Sequence, residues 1–203
     1  MNRTSTSRYT RVALMVVLML TLAIALTGCN KKSADSPIAG TTAKGNATVA
    51  RSALSTTAPD AKLLLVQTAN VISTTSTPVW QYLFGSPKDG SIYAVTVKDK
   101  KVMGTQPYGD SGMDKAEWAL VPADDEWAID SDAAYKSALA ANKKNTAAIP
   151  YAMGFVTYIP KSAAASSSIE PFVWSIAFDP QSTLGSPNTV NVDAKTGKAT
   201  LAK

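Results

Sequence analysis

Two stretches of the chain place their bulkiest apolar residues at every second position. In residues 79–84, VWQYLF, one side carries Trp80, Tyr82 and Phe84; in residues 173–178, VWSIAF, the matching side carries Trp174, Ile176 and Phe178. Side chains of a strand point alternately to opposite faces, so each trio is predicted to face a core. A further strand is predicted after each, over residues 91–99 (SIYAVTVKD) and 188–193 (NTVNVD). Both run into tight turns, Asp99-Lys100-Lys101 and Asp193 to Lys198, and Gly197 is expected to take a positive φ in the second. Ahead of each VW phrase lies an extended, β-rich run, residues 61–72 and residues 149–160.

A different period precedes those runs. Val49, Ala53 and Leu54 recur at helical spacing within residues 47–57, as do Ala134, Tyr135, Ala138 and Leu139 within residues 131–144. Ser131 or Asp130 is placed to cap the second helix, and Lys143 and Lys144 to meet the negative end of its dipole. Three blocks match in the same order in the two halves. They are Arg51-Ser52-Ala53-Leu54 with Lys136-Ser137-Ala138-Leu139, the VW phrases, and Val95-x-Val97-x-Asp99 with Val190-x-Val192-Asp193. The predicted fold class is α+β: two repeated helix-plus-antiparallel-sheet (α-β-β-β) modules after a signal peptide and a flexible tether. One such module of about 60–70 residues is marginal alone, and pairing two buries more apolar surface. Between the halves, residues 104–112 read as a linker. Residues 115–130 read as a docked connector that buries Trp118 and Trp127, with Asp124, Asp125 and Glu126 on a solvated bend.

The N-terminus carries Arg3, Arg8 and Arg11 without an acid, then the apolar run of residues 12–26, which Thr21 alone interrupts. That is the layout of a secretory signal, with an apolar run shorter than the ~20 residues that span a bilayer. The run closes on Leu26-Thr27-Gly28-Cys29, which resembles the lipobox of bacterial lipoproteins. The resemblance implies cleavage before Cys29 and acylation of its sulfur, placing the protein on the exported side of a cell membrane. Cys29 is the sole cysteine, so no intramolecular disulfide is possible. Residues 30–46, poor in core formers, are predicted to be a spacer; Lys31 and Lys32 are either attracted to anionic head groups beside the lipid or ordinary solubilising charges. The expected division is therefore 1–28 leader, 29–46 tether, 47–108 first module, 109–130 connector and 131–203 second module.

Charge adds little. Removing residues 1–28 takes away three arginines and no acid, so the net charge falls from +5 to +2. No basic stripe with interleaved aromatics is present, and no nucleic-acid partner is expected. The absence of histidine excludes Ser-His-Asp and Cys-His catalysis and the usual zinc sites. Lys195-Thr196-Gly197 spells the KTG of penicillin-recognising enzymes, yet no Ser-x-x-Lys accompanies it, and a turn is the expected role. Asp130, Asp132 and Glu170 are isolated acids, and Trp80 and Trp174 are expected in a core rather than a ligand cleft. No catalytic, metal or cofactor-binding residue is assigned and no cofactor is expected; Cys29 is the one candidate site, for lipidation.

Residues 190–200, VNVDAKTGKAT, are similar to the last strand and turn of PepSY domains, small helix-plus-sheet modules of exported bacterial proteins, and residues 127–140, WAIDSDAAYKSALA, resemble the start of one. The first half has VKDKKV where the Thr-Gly turn would stand. The resemblance implies a cystatin-like architecture and a role in modulating or inhibiting envelope proteases. The expected function is a lipid-anchored, exported, non-enzymatic binding or modulating protein of the bacterial cell envelope with an envelope protein or peptide as partner. The alternatives are a PepSY-type inhibitor of an envelope protease and a hydrolase with an atypical Ser/Lys site.

Overall fold

The computed structural model describes residues 42–69, 72, 77–123, 126–142, 150–164, 169–179 and 189–202. The helices among them are α1 (Ala43–Ser52), α2 (Lys115–Leu120), α3 (Ser131–Ala141) and the short α4 (Lys161–Ala164). The strands are β1 (Lys62–Thr68), β2 (Trp80–Gly85), β3 (Ser91–Lys98), β4 (Lys101–Asp110), β5 (Ala152–Val156), β6 (Val173–Ala177), β7 (Thr189–Asp193) and β8 (Ala199–Leu201). Among the described residues these eight strands form one antiparallel sheet in the order β4-β3-β2-β1-β5-β6-β7-β8. The protein is thus mixed α and β.

Each run of four strands is a meander, and the two runs join where β1 pairs with β5, through Leu65↔Val156, Val66↔Phe155 and Gln67↔Gly154. Three pairs make a short seam, and side chains extend it at both ends. Thr68 Oγ1 accepts from the Met153 amide at 3.2 Å, and the buried Thr157 hydroxyl donates to the Leu63 carbonyl. The sheet and the core run through the seam: Trp80, Tyr82 and Phe84 of β2 belong to the same buried cluster as Met153, Phe155, Trp174 and Ile176 of β5 and β6. Helices α1 and α3 cover this one face, contributing Ala43 and Ala50, and Ala134, Tyr135 and Ala138. Trp127 stacks on Phe155 at 5.0 Å and lies 5.6 Å from Trp174, whose indole N–H donates to the Ile129 carbonyl at 2.9 Å. The period-two prediction for both VW strands therefore holds, with Phe178 only half-buried.

Three expectations are corrected. Each side of the seam carries four strands rather than three: the segment read as a linker, residues 104–112, is mostly β4, and residues 199–201, past the expected closing turn, form β8. Gly104, Pro107 and Gly109 look like turn formers, but β4 is an edge strand, where proline's missing N–H is tolerated and bulges are common. Its pairing to β3 shifts register twice, between Ile92 and Tyr93 and between Thr96 and Val97. The first helix begins at Ala43, inside the segment assigned to the tether. Thr42 caps it by accepting from Gly45 N at 3.2 Å. Asn46, a poor helix former, is buried and bonds both ways: its amide donates to Thr42 O at 2.9 Å and its carbonyl oxygen accepts from Lys100 N at 2.8 Å. Residues 161–164 of the expected loop form α4. Lys143 and Lys144 lie outside the described residues; α3 ends at Ala141.

Tight turns close the outer hairpins as expected. Asp99 and Lys100 both take positive φ, 49° and 60°, as a two-residue hairpin turn demands, and Gly197 does so at 75°. Asp193 holds the β7–β8 turn by accepting from Lys195 N at 2.9 Å, Thr196 N at 2.7 Å and Thr196 Oγ1 at 3.0 Å.

Candidate functional site

The residues that could carry chemistry are placed as structural groups. Lys195, Thr196 and Gly197 form the β7–β8 turn, with the Lys195 ammonium 4.8 Å over the Phe172 ring. Asp130 caps α3 and accepts from Ser131 N at 2.6 Å and Lys44 N at 2.9 Å, tying the starts of α1 and α3 together. Asp132 pairs with Lys136 one turn on at 4.0 Å, and Glu170 is exposed. The Lys62 ammonium donates to the Trp118 and Val121 carbonyls, both at 3.0 Å, rather than to a serine. No three His, Cys, Asp or Glu side chains among the described residues could hold a metal. Trp80 and Trp174 are fully buried and line no cleft. Cys29, Lys31, Lys32, Asp124 and Asp125 lie outside the described residues. No helix among the described residues is long and apolar enough to cross a membrane.

The face opposite α1 and α3 carries a different pattern. The strand registers align Thr96, Gln81, Gln67, Gly154, Ser175 and Asn191 in a single row from β3 to β7. All are polar or glycine. Beside it, Ala94, Leu83, Leu65 and Val156 make a parallel apolar row. The polar row bonds within itself: Gln67 Nε2 donates to Gln81 Oε1 at 2.8 Å. At its far end the Asn191 side-chain oxygen is buried and accepts no hydrogen bond. An unsatisfied buried acceptor costs about 1–3 kcal/mol, so Asn191 retains capacity for one donor.

One end of this face is closed. The sequence Asp114-Lys115-Ala116-Glu117 forms a capping box, with Glu117 N donating to Asp114 Oδ1 at 2.8 Å. The helix it starts, α2, places Trp118 over Gly85 in a satellite cluster with Leu64, Ile92, Met113 and Val121. A methyl group at Gly85 would stand 2.3 Å from Trp118 Cη2, so glycine is what admits the indole. Glu117 is buried and its carboxylate accepts from Lys161 N at 2.8 Å, pinning α4 to α2. Burial, and then the adjacent Glu117 carboxylate, push the Tyr158 hydroxyl above its ordinary pKa.

No protein-family model matches the chain, and no curated protein matches it. A solved structure is similar, the crystal structure of a candidate lipoprotein from Clostridium difficile 630. It shares 12% identity at a TM-score of 0.47, over 71% of this chain and 83% of that one. The likeness is too distant to transfer a fold or an activity.

The polar row could have been found in the sequence, because it is the complement of the core face: Gln81 alternates with Trp80 and Tyr82, and Ser175 with Trp174 and Ile176. Its continuity across β1 and β5 could not, since nothing local sets which strands meet at the seam.

Proposed function

We propose that the protein is an exported, lipid-anchored, non-enzymatic binding module of the bacterial envelope that holds a protein or peptide partner on the sheet face opposite α1 and α3. The polar row from Thr96 to Asn191, half-exposed at Thr96 and Gln81, supports this reading. Within that strip Thr96, Gln81 and Asn191 are half-exposed beside half-buried Leu65 and Val156, while Gln67, Gly154 and Ser175 lie buried beneath, so directional polar groups stand next to area that gains from burial. The lipobox-like Leu26-Thr27-Gly28-Cys29 supports the anchor. The symmetric strand order about the β1/β5 seam, with the matched VW phrases on β2 and β6, supports descent of the two halves from one duplicated helix-plus-sheet unit of PepSY-like kind.

Recognition is best tested with photo-crosslinking side chains placed at Gln81, on the row, and at Lys136, on a helix. The reading expects a discrete crosslinked species in intact envelopes from position 81, lost when Asn191→Arg is added, and none from position 136. Crosslinks from both positions alike, or from 136 alone, would count against it. The anchor has its own test: Cys29→Ala should abolish labelling by a fatty-acid analogue, and persistent labelling would contradict acylation at that sulfur.

A further inference from the structure

We infer that the β3–β4 hairpin tip is a membrane-docking element, which lays Lys98, Lys100, Lys101, Val102 and Met103 on an anionic lipid surface. This rests on the proposed lipid anchor at Cys29 for its physiological setting, but its chemistry is read from the folded residues.

The first observation is the composition of the tip. Large apolar side chains exposed elsewhere among the described residues, Leu120 and Leu201, stand singly. Val102 and Met103 are consecutive, 42% and 64% exposed, and follow directly on Lys100 and Lys101, with Lys98 facing Lys101 across the hairpin. Three ammonium groups beside an exposed aliphatic pair suit a bilayer surface, where phosphate head groups meet acyl chains: charge draws the tip in and the apolar pair gains by entering the boundary layer. The one acid within the tip, Asp99, is engaged, since its carboxylate accepts from Thr77 Oγ1 at 3.1 Å.

The second observation is rigidity. Asp99 and Lys100 hold positive φ, and Lys100 N is bonded to Asn46 Oδ1 at 2.8 Å, so the tip is presented in a set shape. Little ordering is then needed on docking.

Position supplies the third. Asn46 lies three residues after Ala43, about 5 Å along the helix axis, so the chain leaves for Cys29 beside the tip. The fourteen residue steps from Cys29 to Ala43 span at most ~50 Å at full extension. An acylated Cys29 therefore keeps the tip within reach of the bilayer, and a contact too weak to bind alone becomes effectively intramolecular. The nearby acids do not oppose it freely: Asp130 accepts from Lys44 N and Ser131 N, and Asp132 pairs with Lys136. Strand addition at the same edge is less suited, because both register shifts and Pro107 interrupt the ladder a partner strand would need.

The test uses the full chain, extracted from bacterial membranes and reconstituted into vesicles of phosphatidylcholine alone or with one-third phosphatidylglycerol. Met103→Cys carries an environment-sensitive thiol dye; Thr200→Cys, at the opposite edge, serves as comparison, and the parent chain treated identically reports any label on Cys29. The expected result is quenching of the 103 dye by nitroxide-bearing lipid in anionic vesicles, falling about ten-fold in phosphatidylcholine alone, in high salt, or with Lys98→Glu, Lys100→Glu and Lys101→Glu combined. The 200 dye should stay in water throughout. A 103 dye as aqueous as the 200 dye in anionic vesicles would overturn the proposal, as would equal quenching at both positions. Mass measurement of the same preparation reads acyl chains on Cys29 independently. An acylated chain with an aqueous 103 dye sinks the docking element and leaves the anchor; quenching at 103 without acylation sinks the anchor and leaves the docking element.

Discussion

The indole rings of Trp80 and Trp174 meet edge to face, 6.4 Å between centroids and 73° between planes. Their strands, β2 and β6, are three apart in the sheet, roughly 14 Å at the usual strand spacing. The two rings thus lean toward one another over β1 and β5 and close the core across the seam. Either tryptophan cut to alanine should cost about 3–5 kcal/mol in urea unfolding, because a large fully buried ring leaves a cavity. A double-mutant cycle should return a coupling of about 0.5–1.5 kcal/mol. Two separate unfolding transitions, each sensitive to one tryptophan only, would show that the halves do not share a core.

Tyr82 donates its hydroxyl to the Ala43 carbonyl at 2.5 Å, fastening β2 to the first residue of α1. Burial foremost, and then the Asp130 charge, hold its pKa well above the ordinary tyrosine range. The folded protein keeps this proton where the unfolded chain, with a pKa near ~10, has lost it; stability is therefore full below that value and declines as pH rises past it. Tyr82→Phe should cost about 1–2 kcal/mol at neutral pH and flatten that alkaline decline, leaving the part due to Tyr135 and Tyr158, also raised. Urea titrations at several alkaline pH values check both.

Gly85→Ala should displace Trp118, since the new methyl would also come within 2.9 Å of Leu64 Cδ1. A loss of about 1–3 kcal/mol is expected. It should be accompanied by red-shifted tryptophan emission and faster proteolysis around Met113, with the main core unaltered. A variant as stable as the parent would mean that α2 shifts without cost.

Asp193 and Asp89 are held below the ordinary carboxylate pKa. For Asp193 the chief cause is the amides of Thr196 and Lys195, and for Asp89 the amide of Ser91. A depressed folded pKa contributes stability that is present above the unfolded value, near ~3.9, and is lost as pH falls through the folded one. Asp193→Asn should therefore lower the melting temperature at neutral pH and narrow the gap to the parent in acid. Thermal scans from neutral pH downward read this directly, and a gap that widens in acid would contradict it.

Local pattern was enough for the strands whose two sides differ. In residues 79–84 and 173–178 the bulkiest side chains fall on one side, opposite the smaller or more polar Val79, Gln81 and Leu83, and Val173, Ser175 and Ala177, and period two sets the bulky side in the core. Gly197 was equally legible and the α3 cap narrows to Asp130 or Ser131, of which the structure uses Asp130, because a cap and a positive-φ turn are decided within a few residues. The capping box at Asp114 and Glu117 was present in the same sense, although no strand or helix was expected there.

Tertiary partners decided the rest. The edge strand β4 is exposed along nearly all its length and contains Gly104, Pro107 and Gly109, so it has no apolar rhythm and exists because β3 offers a ladder. Helix α1 begins at Ala43 because Asn46, unfavourable by propensity, finds Thr42 and Lys100. Meeting of β1 with β5, and with it the unbroken polar row, depends on residues some ninety positions apart. Hydrophobic periodicity says which side of a strand is buried; it carries no term for which strand lies next to which, and only the packed sheet supplies that.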